Sequence, residues 1–186
     1  MIDYIVVSVA DILENQQDID LTDIFKKFSC KKELDLEKFL HDKCLNYEKA
    51  GTCRTYLMLD KEELYKRIKI KILAFFSIST TTLEITDFSN RTKKKILGPL
   101  PQQNKDFIPV FLIGQLGRND NCNKEQLPGE EIIGECLAAI KRAQEIVGGR
   151  IALVECREHL VKFYESHGFV KVTNERKLYQ LYRKIS

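Results

Sequence analysis

Lys124-Glu-Gln-Leu-Pro-Gly129, set immediately before an amphipathic helical stretch, is the segment of this 186-residue chain best suited to hold an anion. A helix N-terminus combines convergent N–H donors with positive potential. Lys124 adds a charge, and Gly129 lets the backbone come close to a bound phosphate. Glu130 and Glu131 on the first turn suit the helix dipole with no ligand present, and would have to point away from a bound one. An ordinary Pro-Gly helix start would read the same way. The second candidate is Tyr164, in Leu160-Val-Lys-Phe-Tyr-Glu-Ser-His-Gly-Phe169. A phenol with a reference pKa of about 10 stays protonated at neutral pH and can serve as a general acid. Leu160, Phe163, Tyr164 and His167 share one helix face, however, which equally describes a core tyrosine with a bonded hydroxyl.

The elements that must carry these groups follow from periodicity. Ile108-Pro-Val-Phe-Leu-Ile-Gly-Gln-Leu-Gly117 is an apolar run with its proline at the start, where a missing N–H harms a ladder least, and predicts a strand. The polar stretch Arg118 to Gly129 is a loop. Ile132, Ile133, Cys136, Leu137, Ile140, Ala143 and Val147 then fall on one helical face, stopped by Gly148-Gly149. Ile151-Ala-Leu-Val154 is continuously apolar, as a strand covered on both faces should be. Two such strands joined through a helix make a parallel unit with a right-handed crossover. Gly114 and Gly117 mark either a bulge or turn or a place where the backbone is open to a ligand.

Upstream, Tyr4 to Val9 predicts a first strand, Asp18 to Phe28 and about Glu33 to Tyr47 predict helices, and Thr52 to Leu59 and Lys69 to Ser79 predict antiparallel strands. Asp60 to Arg67 suits an exposed connection. Thr80 to Ile85 extends the second of those strands, and Asn90-Arg-Thr-Lys-Lys-Lys95 with Gly98 to Lys105 reads as a mobile, solvated basic loop. Downstream, Phe169 to Val172 and Lys177 to Tyr182 alternate as half-exposed strands do, around a turn at Asn174-Glu-Arg.

Three stretches resemble the GCN5-related N-acetyltransferase (GNAT) superfamily: Leu112-Ile-Gly-Gln-Leu-Gly-Arg118, Pro128-Gly-Glu-Glu-Ile-Ile133 and, most diagnostic, Leu160 to Phe169. The resemblance covers about 107 to 182 well, and the N-terminal half by order of elements. It implies an α/β (α+β mixed) fold: a mixed, mostly antiparallel sheet with a central, splayed parallel strand pair flanked by helices. It further implies one domain over 1–186, with acceptor-side helices at about 18–48 and an acetyl-CoA-binding core at about 107–169. In the family the pantetheine arm lies between the splayed strands, which makes the backbone of Leu116, Gly117 and Arg118 the matching contacts. The pyrophosphate would meet Lys124, Gly129 and Glu130. Family members commonly use a tyrosine at the place of Tyr164 to protonate the departing thiolate.

The sequence departs from the family at two points. Of the usual Gln/Arg-x-x-Gly-x-Gly/Ala pattern only the last glycine is kept, with Lys124 in the basic place and Leu127 where glycine is usual. Arg157 stands where asparagine is frequent. The general base is not visible, since no spacing singles out Glu84, Asp87 or Asp106. What the resemblance implies is transfer of acetyl from acetyl-CoA, as cosubstrate, to a primary amine by direct attack in a ternary complex. The acceptor would be a small amine, a protein amine or an aminoacyl-tRNA as in toxin-like relatives, with the basic run at 91–95 as the one hint of tRNA. The rival is a GNAT-fold binding module without catalysis. Family members often dimerise through their terminal strands.

Composition bounds the rest. With 44% hydrophobic and 31% charged residues the chain is long and apolar enough for a substantial core. A net charge of +3 argues for no nucleic acid by itself. No apolar run approaches the roughly 18 residues of a membrane span, and Met1-Ile-Asp-Tyr-Ile lacks a basic leader, so the expectation is a cytoplasmic protein. Cys30, Cys44, Cys53, Cys122, Cys136 and Cys156 form no Cys-x-x-Cys pair, and His41, His159 and His167 complete no zinc pattern. Free thiols and no metal are expected.

Overall fold

A computed structural model describes residues 2–15, 19–98, 106–172 and 178–185. Contacts gather the chain into two compact units, Met1–Ile78 with Gln115–Cys136, and Ser79–Gly114 with Leu137–Ser186. Seven strands and eight α-helices are seen among the described residues.

In the first unit β1 (Tyr4–Ser8) pairs antiparallel with β2 (Arg54–Asp60), and β2 with β3 (Ile72–Glu84). The end of β4 (Phe107–Arg118) completes its strand order, β1-β2-β3-β4. Leu57, Leu59 and Phe75 pack on one face against Val9 and Ile12 of α1 (Val9–Asn15), and Leu21 and Phe25 of α2 (Leu21–Phe25). Phe39 and Leu40 join them from a π-helical turn, Phe39–Lys43, set between α3 (Leu34–Lys38) and α4 (Cys44–Lys49). Met58, Leu73 and Ala74 form a second cluster with Cys122, Leu127 and Ile132.

Asp60 ends β2 and caps α5 (Lys61–Arg67), accepting from the N–H groups of Glu62 and Glu63, both at 3.1 Å, while Lys71 Nζ lies 3.1 Å away. Burial opposes its charge, but the Glu63 N–H, Lys71 and the Glu62 N–H outweigh that and hold the carboxyl below its usual range. A lowered folded-state value means that this stability is present above the unfolded value of about 3.9 and is lost as pH falls through the folded one. Asp60→Asn is therefore expected to be less stable at neutral pH and to lose less stability on acidification, as read by urea melts from pH 7 down to pH 3.

The second unit has the strand order β3-β4-β5-β7-β6, with β5 (Ile151–Cys156), β6 (Val170–Lys171) and β7 (Tyr179–Lys184). Six antiparallel pairs, Ile151↔Lys184 to Cys156↔Tyr179, join β5 to β7. Ile151 and Leu153 face a cluster with Ile108, Val110, Tyr182 and Ile96. Ile96 lies on α6 (Asn90–Leu97), which occupies the place expected for a basic loop. Ser89 caps α6 through the Thr92 N–H at 3.2 Å, and Gly98, at φ 78°, ends it. Arg150 Nε donates to the Ile96 carbonyl at 3.1 Å. The helix α7 (Gly129–Val147) is as predicted, closed by Gly148 and Gly149 at φ 76° and 111°. After β5 comes α8 (Glu158–Ser166).

Other differences from the sequence reading are local. Val9 belongs to α1 rather than to the first strand, and the exposed connection after Asp60 is the helix Lys61–Arg67. The expected turn at Asn174-Glu-Arg, the loop over 99–105 and the outer ends at Asp18 and Lys177 lie outside the described residues. No described helix is long and apolar enough to cross a membrane.

Candidate active site

The anion-binding candidate lies wholly in the first unit. Beyond β4, Asn119 is buried and ties the chain to β3: its N–H donates to the Leu73 carbonyl at 2.8 Å and its amide to the Ile72 carbonyl at 3.0 Å. Asp120 accepts from Ser29 Oγ at 3.0 Å and the Lys31 N–H at 2.9 Å. Asn123 and Gln126 cap each other, backbone N–H to side-chain oxygen in both directions, at 3.0 and 2.9 Å. Arg118 Nη1 donates to the Leu127 carbonyl at 2.9 Å, closing the loop at its base. Lys124 and Glu130 are exposed, and Gly129 is half-buried as the first residue of α7.

The acidic first turn of α7 is resolved by Tyr4. Its hydroxyl donates to Glu131 at 3.0 Å and lies 3.2 Å from Glu135, one turn on. Glu131 is thereby aimed at β1. Burial and these two carboxylates push the Tyr4 phenol well above its usual range, so it remains a donor.

In the second unit, β4 and β5 pair in parallel at Phe111↔Ala152, Leu112↔Leu153 and Ile113↔Val154. Among the described residues no further pair of this ladder is seen, although both strands continue past it. Within the second unit, Gly114 of β4 and Glu155 of β5 therefore carry backbone amides that do not pair with one another, as an amide-bearing ligand lying like an added strand requires. Tyr164 belongs to α8 and is 5% exposed. Its ring meets Phe163 and Phe169 edge-on, with centroids at 5.1 and 5.5 Å.

No family model and no curated protein sequence matches the chain. Solved structures do. A tyrosine-to-phenylalanine mutant of KacT matches with a TM-score of 0.75 at 19% identity, over 98% of this chain and 95% of that one. AtaT complexed with acetyl-methionyl-tRNAfMet gives 0.73 at 20% identity, over 98% and 95%. A tyrosine-to-phenylalanine mutant of the AtaT toxin, bound to acetyl-CoA and the C-terminus of the antitoxin AtaR, gives 0.69 at 16%, over 98% and 94%.

The chain has the GNAT fold. Within this GNAT fold two of the sequence-selected positions have local packing reasons that sequence patterns did not reveal. A Cβ on Gly117 would lie 2.4 Å from Leu36 Cδ1 of α3, so a larger residue there requires the Leu36 side chain to move. Leu127, in the place where glycine is usual, is fully buried among Met58, Leu73, Ala74, Cys122 and Ile132, with Leu116 packed against the same cluster. The loop is anchored by an apolar side chain and by Arg118, where a glycine pattern would leave both tasks to the backbone. The six cysteines are free and buried. Desolvation raises their thiols, Cys44 to about 12 and Cys156 to about 11, which suits small hydrophobes rather than nucleophiles. No group of three or more His, Cys, Asp or Glu able to hold a metal occurs among the described residues.

Proposed function

We propose that this protein is an acetyl-CoA-dependent N-acetyltransferase whose acceptor is the amino group of an aminoacyl-tRNA. The observation that carries the proposal is the match, over 98% of this chain and 95% of the other, to AtaT holding acetyl-methionyl-tRNAfMet. The broken β4–β5 ladder supports the cosubstrate, and the family resemblance assigns Leu116, Gly117 and Arg118 to the pantetheine and Lys124, Gly129 and Glu130 to the pyrophosphate. The α6 helix supports the acceptor. Arg91, Lys94 and Lys95 are exposed on it, and cations on a rigid element suit a phosphate backbone better than cations on a loop.

The chemistry asks little of the protein beyond placement. An α-amine has a pKa of about 7.7–8.0, so a useful fraction is neutral and nucleophilic at physiological pH. Holding it against the thioester carbonyl replaces a bimolecular encounter. Tyr164 gives its proton to the departing thiolate. A single catalytic domain in the cytoplasm, where charged tRNA and free thiols both occur, completes the reading.

Incubating the full chain with labelled acetyl-CoA and charged methionyl-tRNA, uncharged tRNA or a polyamine tests it. Label is expected in the charged tRNA alone and is released with the amino acid on mild alkaline deacylation. Label in the polyamine alone removes the tRNA acceptor. Saturable acetyl-CoA binding without transfer to any of the three makes the protein a binding module.

A further inference from the structure

We propose that Glu155 is the proton acceptor for the attacking amine, held in place by Gln180. This rests on the acetyltransferase reading above. Residues 151, 153 and 155 of β5 project to one face of the sheet, and Ile151 and Leu153 pack there with Tyr182 of β7. Leu153 is paired with Tyr182, and Glu155 with Gln180, the next pair on that face. Glu155 is exposed, whereas Gln180 is 5% exposed and donates its amide Nε2 to Glu155 Oε1 at 2.5 Å. An aliphatic residue at 180 would extend the Leu153–Tyr182 cluster without desolvating an amide. The amide of Gln180 holds Glu155 through one carboxylate oxygen, and Glu155 itself is exposed.

The place of Glu155 in the fold gives that contact its use. It is the first β5 residue beyond Ile113↔Val154, where the parallel ladder stops. One step along β4 from Ile113 is Gly114, exposed and without a side chain, which puts no β4 side chain at the position next to Glu155. The reacting carbonyl of a thioester lying along the strand ends would come to that position. In the reaction the neutral amine nitrogen bonds to the acetyl carbon and the tetrahedral adduct loses its N–H proton to Glu155. The C–S bond then breaks and the sulfur takes a proton from Tyr164. Water returns the proton from Glu155 to Tyr164, leaving the amide and coenzyme A.

The test compares the full-length wild type with Glu155→Gln and Glu155→Ala, on acetyl-CoA and methionyl-tRNA. Glutamine keeps the shape and can still accept from Gln180, so folding and acetyl-CoA affinity should match the wild type. Turnover should fall about 100-fold or more, the usual worth of a general base. In Glu155→Ala, added formate or azide should restore part of the turnover, which a purely structural role would not allow. Wild-type turnover in Glu155→Gln, or a loss in Glu155→Ala that formate and azide leave untouched, overturns the assignment while the acetyltransferase reading stands. A wild type that transfers no acetyl overturns both.

Discussion

Tyr164→Phe is expected to lower turnover by about 100-fold or more, while acetyl-CoA affinity and thermal stability stay close to wild type. The ring is wedged edge-on between Phe163 and Phe169, and phenylalanine fills the same space. Only the hydroxyl is lost. If that hydroxyl protonates the leaving thiolate, its energy is realised in the transition state alone, so kcat and kcat/KM fall together. A fall in stability with unchanged kcat would instead make Tyr164 a core residue whose hydroxyl serves packing. Calorimetric titration with acetyl-CoA beside steady-state kinetics separates the two outcomes in one preparation.

Leu127→Gly, the change toward the usual family pattern, is expected to cost about 3–5 kcal/mol of folding stability. Leucine-to-alanine truncations in cores cost about 2–5 kcal/mol, and glycine adds roughly 0.5–1 kcal/mol of backbone entropy. Leu127 is fully buried, and with Cys122 it supplies the apolar anchor of a loop otherwise held by polar contacts. The urea midpoint should drop accordingly with little change in slope. A loss below about 1 kcal/mol, within the range of ordinary surface substitutions and minor repacking, would show that Arg118 and the Asn123–Gln126 caps hold the loop by themselves.

The parts of the fold that were legible in the sequence are those with long, clean periods. The strand Phe107–Arg118, the helix Gly129–Val147 and the apolar run after Gly149 each bury one face or both, so composition betrays them. The short helices were not legible, for separate reasons. Val9 ends a β-branched run and its own propensity favours strand, but it is fully buried with Ile12 and Phe25, so tertiary packing decides its state. The α6 helix buries Ile96 as its one fully covered residue, too little for a period to show, although Ser89 three residues before Thr92 was a usable cap signal.

At the candidate site the loop and Tyr164 could be picked out because their residue types stand in diagnostic order. The tie from Tyr4 to Glu131 spans 127 positions, and the contact of Leu36 with Gly117 joins elements far apart in the chain. A single sequence carries no signal for either. Two-residue alternation along β5 sets Glu155 on the face of Ile151 and Leu153, but nothing in the sequence shows that Gln180 lies opposite it.

The burial of all six thiols turns the protein into its own gauge of opening. In the closed fold the thiols are buried and raised above their usual pKa, so labelling is faster through opened forms, and its rate at each cysteine reports how readily that region is exposed. Cys30, Cys44, Cys53, Cys122 and Cys136 report on the first unit and Cys156 on the second. Mass spectrometry of a single time course would therefore say which unit yields first, with no probe introduced.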